Sequence, residues 1–291
     1  SERIWRVMIE KLTEIYAEFK KQGVADPLLE TLRLADLVSG GAIRGADLSV
    51  LENGPGLAEV VKQRAEGKPL EYILGVAPFL GELLECREGA LIPREETELL
   101  TRTCLKFIEK ERAAGVTAPK IIELGTGSGN IAVLLALKTE NAEIYASDIS
   151  EEAVEVASSN VERCGVTAKV TLVSGDMFEP MRGRGLEGQT DLVVCNPPYI
   201  PSTSVDKLAS EIIDYEPRVA FDAGSYGIDI FKRLIRGAPE FLRPGGMLAF
   251  EIGAGQENIV GRLFKKVEDD YLPVVQVDDG ARVRVLTAIR K

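Results

Sequence analysis

The chain has 291 residues, 45% hydrophobic and 28% charged, with a formal net charge of −11 and no histidine. That length and balance suit one large globular domain plus a small one, not a fibrous or disordered chain. The missing histidine excludes an imidazole base, a Ser–His triad and a His-ligated metal, and the acidity disfavours stable nucleic-acid binding. Cys86, Cys104, Cys164 and Cys195 form no C-x-x-C pair, so reduced thiols and no metal site are expected. No apolar run approaches the ~18 residues of a membrane span. No signal-peptide pattern opens the chain, and a soluble, cytoplasmic protein without membrane attachment is expected.

Residues 2–21 place Trp5, Met8, Ile9, Leu12, Ile15, Tyr16 and Phe19 on one helical face, and Gly23 ends that helix. Asp26-Pro27 fits the N-cap and first residue of a second helix, running through about Val38. Gly40-Gly41 breaks it, and Pro55 opens a further helix to about Glu66, so residues 1–72 form a small helical domain. Glycine, proline and short apolar runs over 73–92 predict a β-hairpin linker. A helix follows from about Glu95 to Arg112. Strands are predicted over Lys120–Leu124, Glu143–Ser147, Lys169–Val173, Asp191–Cys195, Met247–Glu251 and Arg282–Ile289. Amphipathic helices separate them, one carrying Phe231, Leu234, Ile235, Ala238 and Leu242 on a single stripe. Strands apolar on both faces, alternating with helices, make residues 93–291 a doubly wound α/β domain.

The first of these strands runs into Gly125-Thr126-Gly127-Ser128-Gly129 and then a helix. Glycines there let the backbone turn sharply and bring N–H groups to a ligand at a helix N-terminus. A dinucleotide fingerprint would need its third glycine where Asn130 stands; G-x-G-x-G is the form of the nucleoside-binding turn in class I methyltransferases. The next strand ends at Asp148, where a carboxylate can accept from both ribose hydroxyls. The third ends in Gly175-Asp176-Met177-Phe178, where Asp176 can accept from an adenine amine and Met177 can pack on the ring. Alone, each is a tight turn or a helix cap. Three at the ends of three successive strands predict a nucleoside-cofactor site.

The fourth strand ends in Asn196-Pro197-Pro198-Tyr199. Two prolines fix φ and carry no N–H, which makes a stiff turn. It would hold the Asn196 side-chain oxygen and the Pro197 carbonyl as paired acceptors. An amide nitrogen is a poor nucleophile because its lone pair is delocalised. Two acceptors on its hydrogens would aim it at a sulfonium methyl and stabilise the charge that develops on it. Tyr199 can lie against the planar group. Methyl transfer depends mainly on positioning, so no histidine base is required.

The chain resembles the HemK/PrmC-type glutamine N5-methyltransferases of peptide-chain release factors. The likeness runs through Glu66-Gly67-Lys68-Pro69-Leu70-Glu71-Tyr72-Ile73-Leu74-Gly75, Leu91-Ile92-Pro93-Arg94-Glu95-Glu96-Thr97-Glu98, the 125–129 turn, Asn196–Tyr199, Asp214-Tyr215-Glu216-Pro217-Arg218, Ala220-Phe221 and Phe250-Glu251-Ile252-Gly253, in that order. Met177 stands where many relatives have an aromatic residue, Glu123 where many have Asp, and Glu95 where many have Pro. The resemblance implies a Rossmann-like, seven-stranded class I methyltransferase sheet with an antiparallel last strand, behind an N-terminal helical bundle and hairpin linker. It implies S-adenosylmethionine, converted to S-adenosylhomocysteine, held by Gly125, Thr126, Gly127, Ser128, Gly129, Asp148, Asp176, Met177, Phe178 and Asn196. Arg94 or Thr97 would stand near its carboxylate. The substrate implied is the Gly-Gly-Gln loop of class I release factors, entering at Asn196, Pro197, Pro198 and Tyr199 of a monomeric enzyme.

The helical domain would help dock that partner, though the residues alone fit a packing cap on the sheet equally well. Other readings are a ribosomal-protein glutamine methyltransferase, an adenine-N6 nucleic-acid methyltransferase and a non-enzymatic cofactor-binding scaffold. An adenine enzyme must flip its base and usually carries a basic recognition region, which this acidic chain lacks.

Overall fold

The computed structural model of the protein describes residues 2–38, 56–224 and 227–291. The expected break at Gly40-Gly41, the helix start at Pro55 and the side chains of Trp5 and Met8 lie outside the described residues. The chain divides into two compact units, Ser1–Glu88 with Ala209–Tyr215, and Gly89–Leu208 with Glu216–Lys291. Among the described residues no helix is long and apolar enough to cross a membrane.

The first unit contains α1 (Glu2–Lys21), α2 (Pro27–Val38), α3 (Leu57–Ala65) and α4 (Leu70–Leu74). Ile15, Phe19, Leu34, Leu37, Val60, Val61, Leu70 and Ile73 form its buried core. Asp26 caps α2 as expected, its Oδ1 accepting from the Leu29 N–H at 3.2 Å, but from a backbone with φ +49°. The hairpin of β1 (Val76–Phe79) and β2 (Glu82–Glu85) groups with these helices. Its two turn residues, Leu80 and Gly81, both have positive φ, the geometry whose twist suits a two-residue hairpin. Buried Glu30 accepts from Arg64 Nε at 2.7 Å and from Arg33 Nη1 at 3.0 Å. Arg64 also pairs with Glu211 at 2.8 Å. That bridge, with the Tyr215 hydroxyl on the Glu66 carbonyl, accounts for residues 209–215 belonging to this unit.

In the second unit, α5 (Glu95–Ala113) precedes a seven-stranded sheet whose connections include α6 (Asn130–Lys138) and α7 (Glu151–Arg163). Its strands are β3 (Lys120–Leu124), β4 (Glu143–Asp148), β5 (Val170–Ser174), β6 (Thr190–Cys195), β7 (Leu242–Glu251), β8 (Val275–Asp278) and β9 (Val283–Ile289). Their order is β5-β4-β3-β6-β7-β9-β8, and β9 runs antiparallel to both neighbours. This is the Rossmann-like sheet expected, and six of its strands fall within one residue of the predicted spans except at the start of β7. The seventh, β8, is a four-residue edge strand with little burial, so it left no apolar run to detect. Ile122, Val193, Leu248 and Leu286 share one core with Phe178, Phe231, Leu234 and Phe241.

The helix after β6's long connection, α10 (Asp229–Phe241), carries Gly237 in its interior, two short helices (α8 and α9, Ser202–Val205 and Ser210–Tyr215) preceding it. Alanine normally favours a helix over glycine by about 1 kcal/mol. Here an added Cβ would stand 2.6 Å from two ring carbons of Phe178, which is stacked on Phe241 at 5.0 Å. Gly237→Ala is therefore expected to destabilise the protein by about 1–3 kcal/mol, as overpacked cores do. A thermal melt with an unchanged Tm would show that the ring has room to yield.

Candidate active site

Strand register sets the site. Leu124 of β3 pairs with Ser147 of β4 and with Cys195 of β6; Asp148 pairs with Ser174, and Cys195 with Phe250. Gly125, Asp148, Gly175, Asn196 and Glu251 are thereby brought to one edge of the sheet. β3 and β6 are where the strand order reverses, the usual ligand position in such sheets. A cavity of about 260 Å³ opens there, entirely within the second unit, and Glu251 lies behind its wall.

The glycine turn and Asp148 are locked together. The Gly127 N–H donates to Asp148 Oδ2 at 2.9 Å, and the Ser150 N–H to Oδ1 at 3.0 Å. Each carboxylate oxygen keeps a lone pair that a ribose hydroxyl can use. Burial pushes the Asp148 carboxyl up, against the backbone N–H groups of Ser150 and Gly127. Gly127 has φ +54°, a conformation that glycine adopts without strain. Gly129 serves packing: a Cβ there would meet that of Ala157 at 3.0 Å, and the residue does not line the cavity.

Glu123, buried beneath the turn, lines the cavity. Its Oε2 accepts from the Thr126 hydroxyl at 2.9 Å, while Oε1 has no partner. Buried Ser128 likewise has an unpartnered hydroxyl on the cavity wall. At the other end, Asp176 is paired with Arg233 at 2.7 Å, and both side chains keep substantial exposure. Met177 holds φ +52°, a strained value for a non-glycine residue, with its carbonyl 3.4 Å from the Ser147 hydroxyl. Phe178 is turned away into the core against Phe241.

Arg94 lines the cavity and pairs with buried Glu216, whose other oxygen accepts from the Ile92 N–H at 3.1 Å. Thr97, in the first turn of α5, donates its hydroxyl to Glu251 Oε2 at 2.8 Å and accepts from Asn196 Nδ2 at 2.9 Å. Its one proton is thus committed, and the cations that line the cavity are Arg94 and Arg233, each already paired with a carboxylate. Glu251 Oε1 accepts from the Tyr199 hydroxyl and from Arg284 Nη2, each at 3.3 Å. Burial pushes the Glu251 carboxyl up, opposed by Thr97 and Arg284. It also raises the Tyr199 phenol, helped by the Glu251 charge.

Of the residues expected from the sequence, Gly125, Thr126, Gly127, Ser128, Asp148, Asp176, Met177, Asn196, Pro197, Pro198, Arg94 and Thr97 line the cavity together. Gly129, Phe178 and Tyr199 do not; Tyr199 stands beside it with its hydroxyl on Glu251 and Arg284. Sequence reasoning gave no role to Glu123, Glu216, Glu251, Arg233 or Arg284. The available signal was a single charge inside an otherwise apolar strand, as in Ile121-Ile122-Glu123-Leu124 and Val283-Arg284-Val285.

A doubly wound sheet of this order with a nucleoside-type cleft at its switch point defines a methyltransferase fold. The family described as "MTS: Methyltransferase small domain" matches residues 97–228. The chain is 39% identical to the release factor glutamine methyltransferase of Geobacter sulfurreducens over 207 residues, 71% of this chain and 68% of that one. It is 38% identical to that of Moorella thermoacetica over 80% of this chain and 79% of that one. With that of Chlorobaculum tepidum it shares 32% identity over 93% of this chain and 95% of the relative. The chain belongs to the release factor glutamine methyltransferase family. Among solved structures, the hMettl16 catalytic domain shares the fold at TM-score 0.54 and 16% identity, over 71% of this chain and 74% of that one. A human methyltransferase 10 domain containing protein does so at TM-score 0.51 and 16% identity, over 69% and 84%.

Burial, helped by the nearby Asp148 charge and opposed by the Thr126 hydroxyl and the Ala132 backbone N–H, raises the Glu123 carboxyl from its ordinary 4.5 to about 8. The native state then binds this proton more tightly than the unfolded chain does. The resulting stabilisation is full below the unfolded value and falls as pH rises towards the native one, between about pH 5 and 8. Glu123→Gln should flatten that fall in thermal melts of the ligand-free protein. Equal slopes in the two proteins would mean that the native carboxyl is already ionised.

Proposed function

We propose that the protein transfers the methyl of S-adenosylmethionine to the side-chain amide nitrogen of the glutamine in the Gly-Gly-Gln loop of class I release factors. One observation carries the chemistry: Asn196 opens on the cavity with its NH₂ turned to Thr97, which leaves its carbonyl oxygen for a donor. The names of the relatives favour a release factor over a ribosomal protein as the substrate.

The cavity suits the methyl donor group by group. Asp148 offers one free lone pair on each oxygen for the two ribose hydroxyls. Once ionised by the cation beside it, Glu123 offers its unpartnered Oε1 to the methionine ammonium, and Arg94 offers a cation to the methionine carboxylate. Met177 and Ile149 offer apolar contact to the adenine ring. Bound there, S-adenosylmethionine supplies a methyl group already activated on sulfur.

The chain's own residues then position the acceptor. Asn196 Oδ1 and the Pro197 carbonyl take the two hydrogens of the glutamine amide, orient its nitrogen and stabilise the positive charge it gains. The diproline holds that pair rigid. No side chain need remove a proton before transfer, in keeping with the absence of histidine; the methylated nitrogen then loses one of its two hydrogens to water as a proton and becomes neutral.

The test is transfer of labelled methyl to a purified class I release factor, beside a variant with alanine for the loop glutamine. Label should appear on the intact factor only. Asn196→Ala should lower kcat by about a hundredfold or more, as loss of a transition-state hydrogen bond does. Asp148→Ala should act mainly on the KM for S-adenosylmethionine. Labelling of the alanine variant, or none of the intact factor, would overturn the assignment.

A further inference from the structure

Glu251 is the last residue of β7, 1% exposed, and lies outside the cavity lining. It nevertheless reaches both side chains assigned to the acceptor glutamine. Oε2 accepts from Thr97, which accepts from Asn196; Oε1 accepts from Tyr199 and Arg284. Three donors face this carboxylate, and its ionised form accepts from all of them.

The direction of each bond follows from that. An ionised carboxylate cannot donate, so the single proton of Thr97 must point to it. Thr97 can then only accept from Asn196, so the NH₂ of Asn196 must face Thr97 and its oxygen the cavity. On the other side, Arg284 donates to the Tyr199 oxygen at 3.3 Å, so the phenol proton goes to Glu251. The Arg284 guanidinium lies 5.9 Å from the centre of the Tyr199 ring and helps fix its plane. A glutamine at 251 would have nearly the same shape but present an NH₂ to one of the two sides. Facing Thr97, it would free that hydroxyl to donate to Asn196 and let the Asn196 amide turn over.

We infer that Glu251 is the positioning residue of the transferase, setting the amide of Asn196 through Thr97 with one oxygen and the phenol of Tyr199 with the other. Its consequence for catalysis rests on the function proposed above; its consequence for Asn196 does not. The inference has two tests.

The first needs neither ligand nor substrate. In the ligand-free full chain, the Asn196 side-chain NH₂ signal, assigned by its loss in Asn196→Ala, should exchange hydrogen about tenfold or more slowly than an exposed asparagine. Thr97→Val and Glu251→Gln should each abolish that protection. Protection unchanged in Thr97→Val would overturn the inference.

The second is kinetic, with a class I release factor as acceptor and thermal melts confirming the fold. Glu251→Gln and Thr97→Val should each lower kcat about tenfold or more, while the calorimetric Kd for S-adenosylmethionine stays within about threefold. The double variant should be little worse than the poorer single one, because both cut the same relay. Thr97→Ser should recover most of the rate lost in Thr97→Val. Full additivity, or a wild-type kcat in Thr97→Val, would overturn the inference. If Glu251→Gln fails to fold, Thr97→Val still decides it in both tests, with Thr97→Ser as the control in the second. A wild-type protein that labels no release factor refutes the proposed substrate, and hydrogen exchange then decides the role of Glu251 alone.

Discussion

A carboxylate can only accept hydrogen bonds, and burying one at the end of β7 dictates the sense of every bond around it. Glu251 receives Thr97, Tyr199 and Arg284 and gives nothing back. Such burial is a poor source of stability. Removing two charges from water can cost as much as their attraction returns, and Arg284 Nε remains buried without a partner. What the arrangement supplies is direction. It gives Thr97, Asn196 and Tyr199 one orientation each, and the last two belong to the Asn-Pro-Pro-Tyr turn.

This constraint works only because the sheet delivers its parts to one place. Thr97 and Asn196 are 99 residues apart in the chain, and Thr97 and Glu251 are 154 apart. Parallel strands in register end at a common level, so the residues following β3, β4, β6 and the last of β7 become neighbours without a local sequence relation. The first turn of α5 then crosses that edge and inserts Thr97 between Asn196 and Glu251. A shift of one residue in the β6–β7 pairing would send Glu251 to the other face. Catalytic geometry and core packing are here consequences of the same register.

The parts legible in the sequence were those with a local physical signature. Strands buried on both faces read as apolar runs, and the glycine turn and the diproline declare their own backbone geometry. The edge strand β8 lacked such a run, and the grouping of residues 209–215 with the helical unit depends on Arg64, Glu211 and Tyr215 meeting in space. Phe178 illustrates the limit most simply. It adjoins Met177, which lines the cavity, yet the strained backbone at Met177 sends its ring to Phe241 instead. Arg284 was visible only as a charge inside an apolar strand, and Glu251 as one inside the family motif Phe250-Glu251-Ile252-Gly253. Such a charge says that a partner exists and does not say where.

Substrate class follows from counting hydrogens at the reacting end. The proposed acceptors, Asn196 Oδ1 and the Pro197 carbonyl, are two oxygens held by one rigid turn. A hydroxyl brings one hydrogen and would leave one oxygen desolvated without a bond, a penalty of about 1–3 kcal/mol. An ammonium brings three, but its nitrogen has no lone pair for the methyl. A planar NH₂ fills both oxygens and still presents its nitrogen to the cavity. Were the amide of Asn196 to turn over, one acceptor would become a donor and the preference for NH₂ would be lost with the rate. The same bond polarity that starts at Glu251 therefore bears on which nitrogen is methylated as well as on how fast.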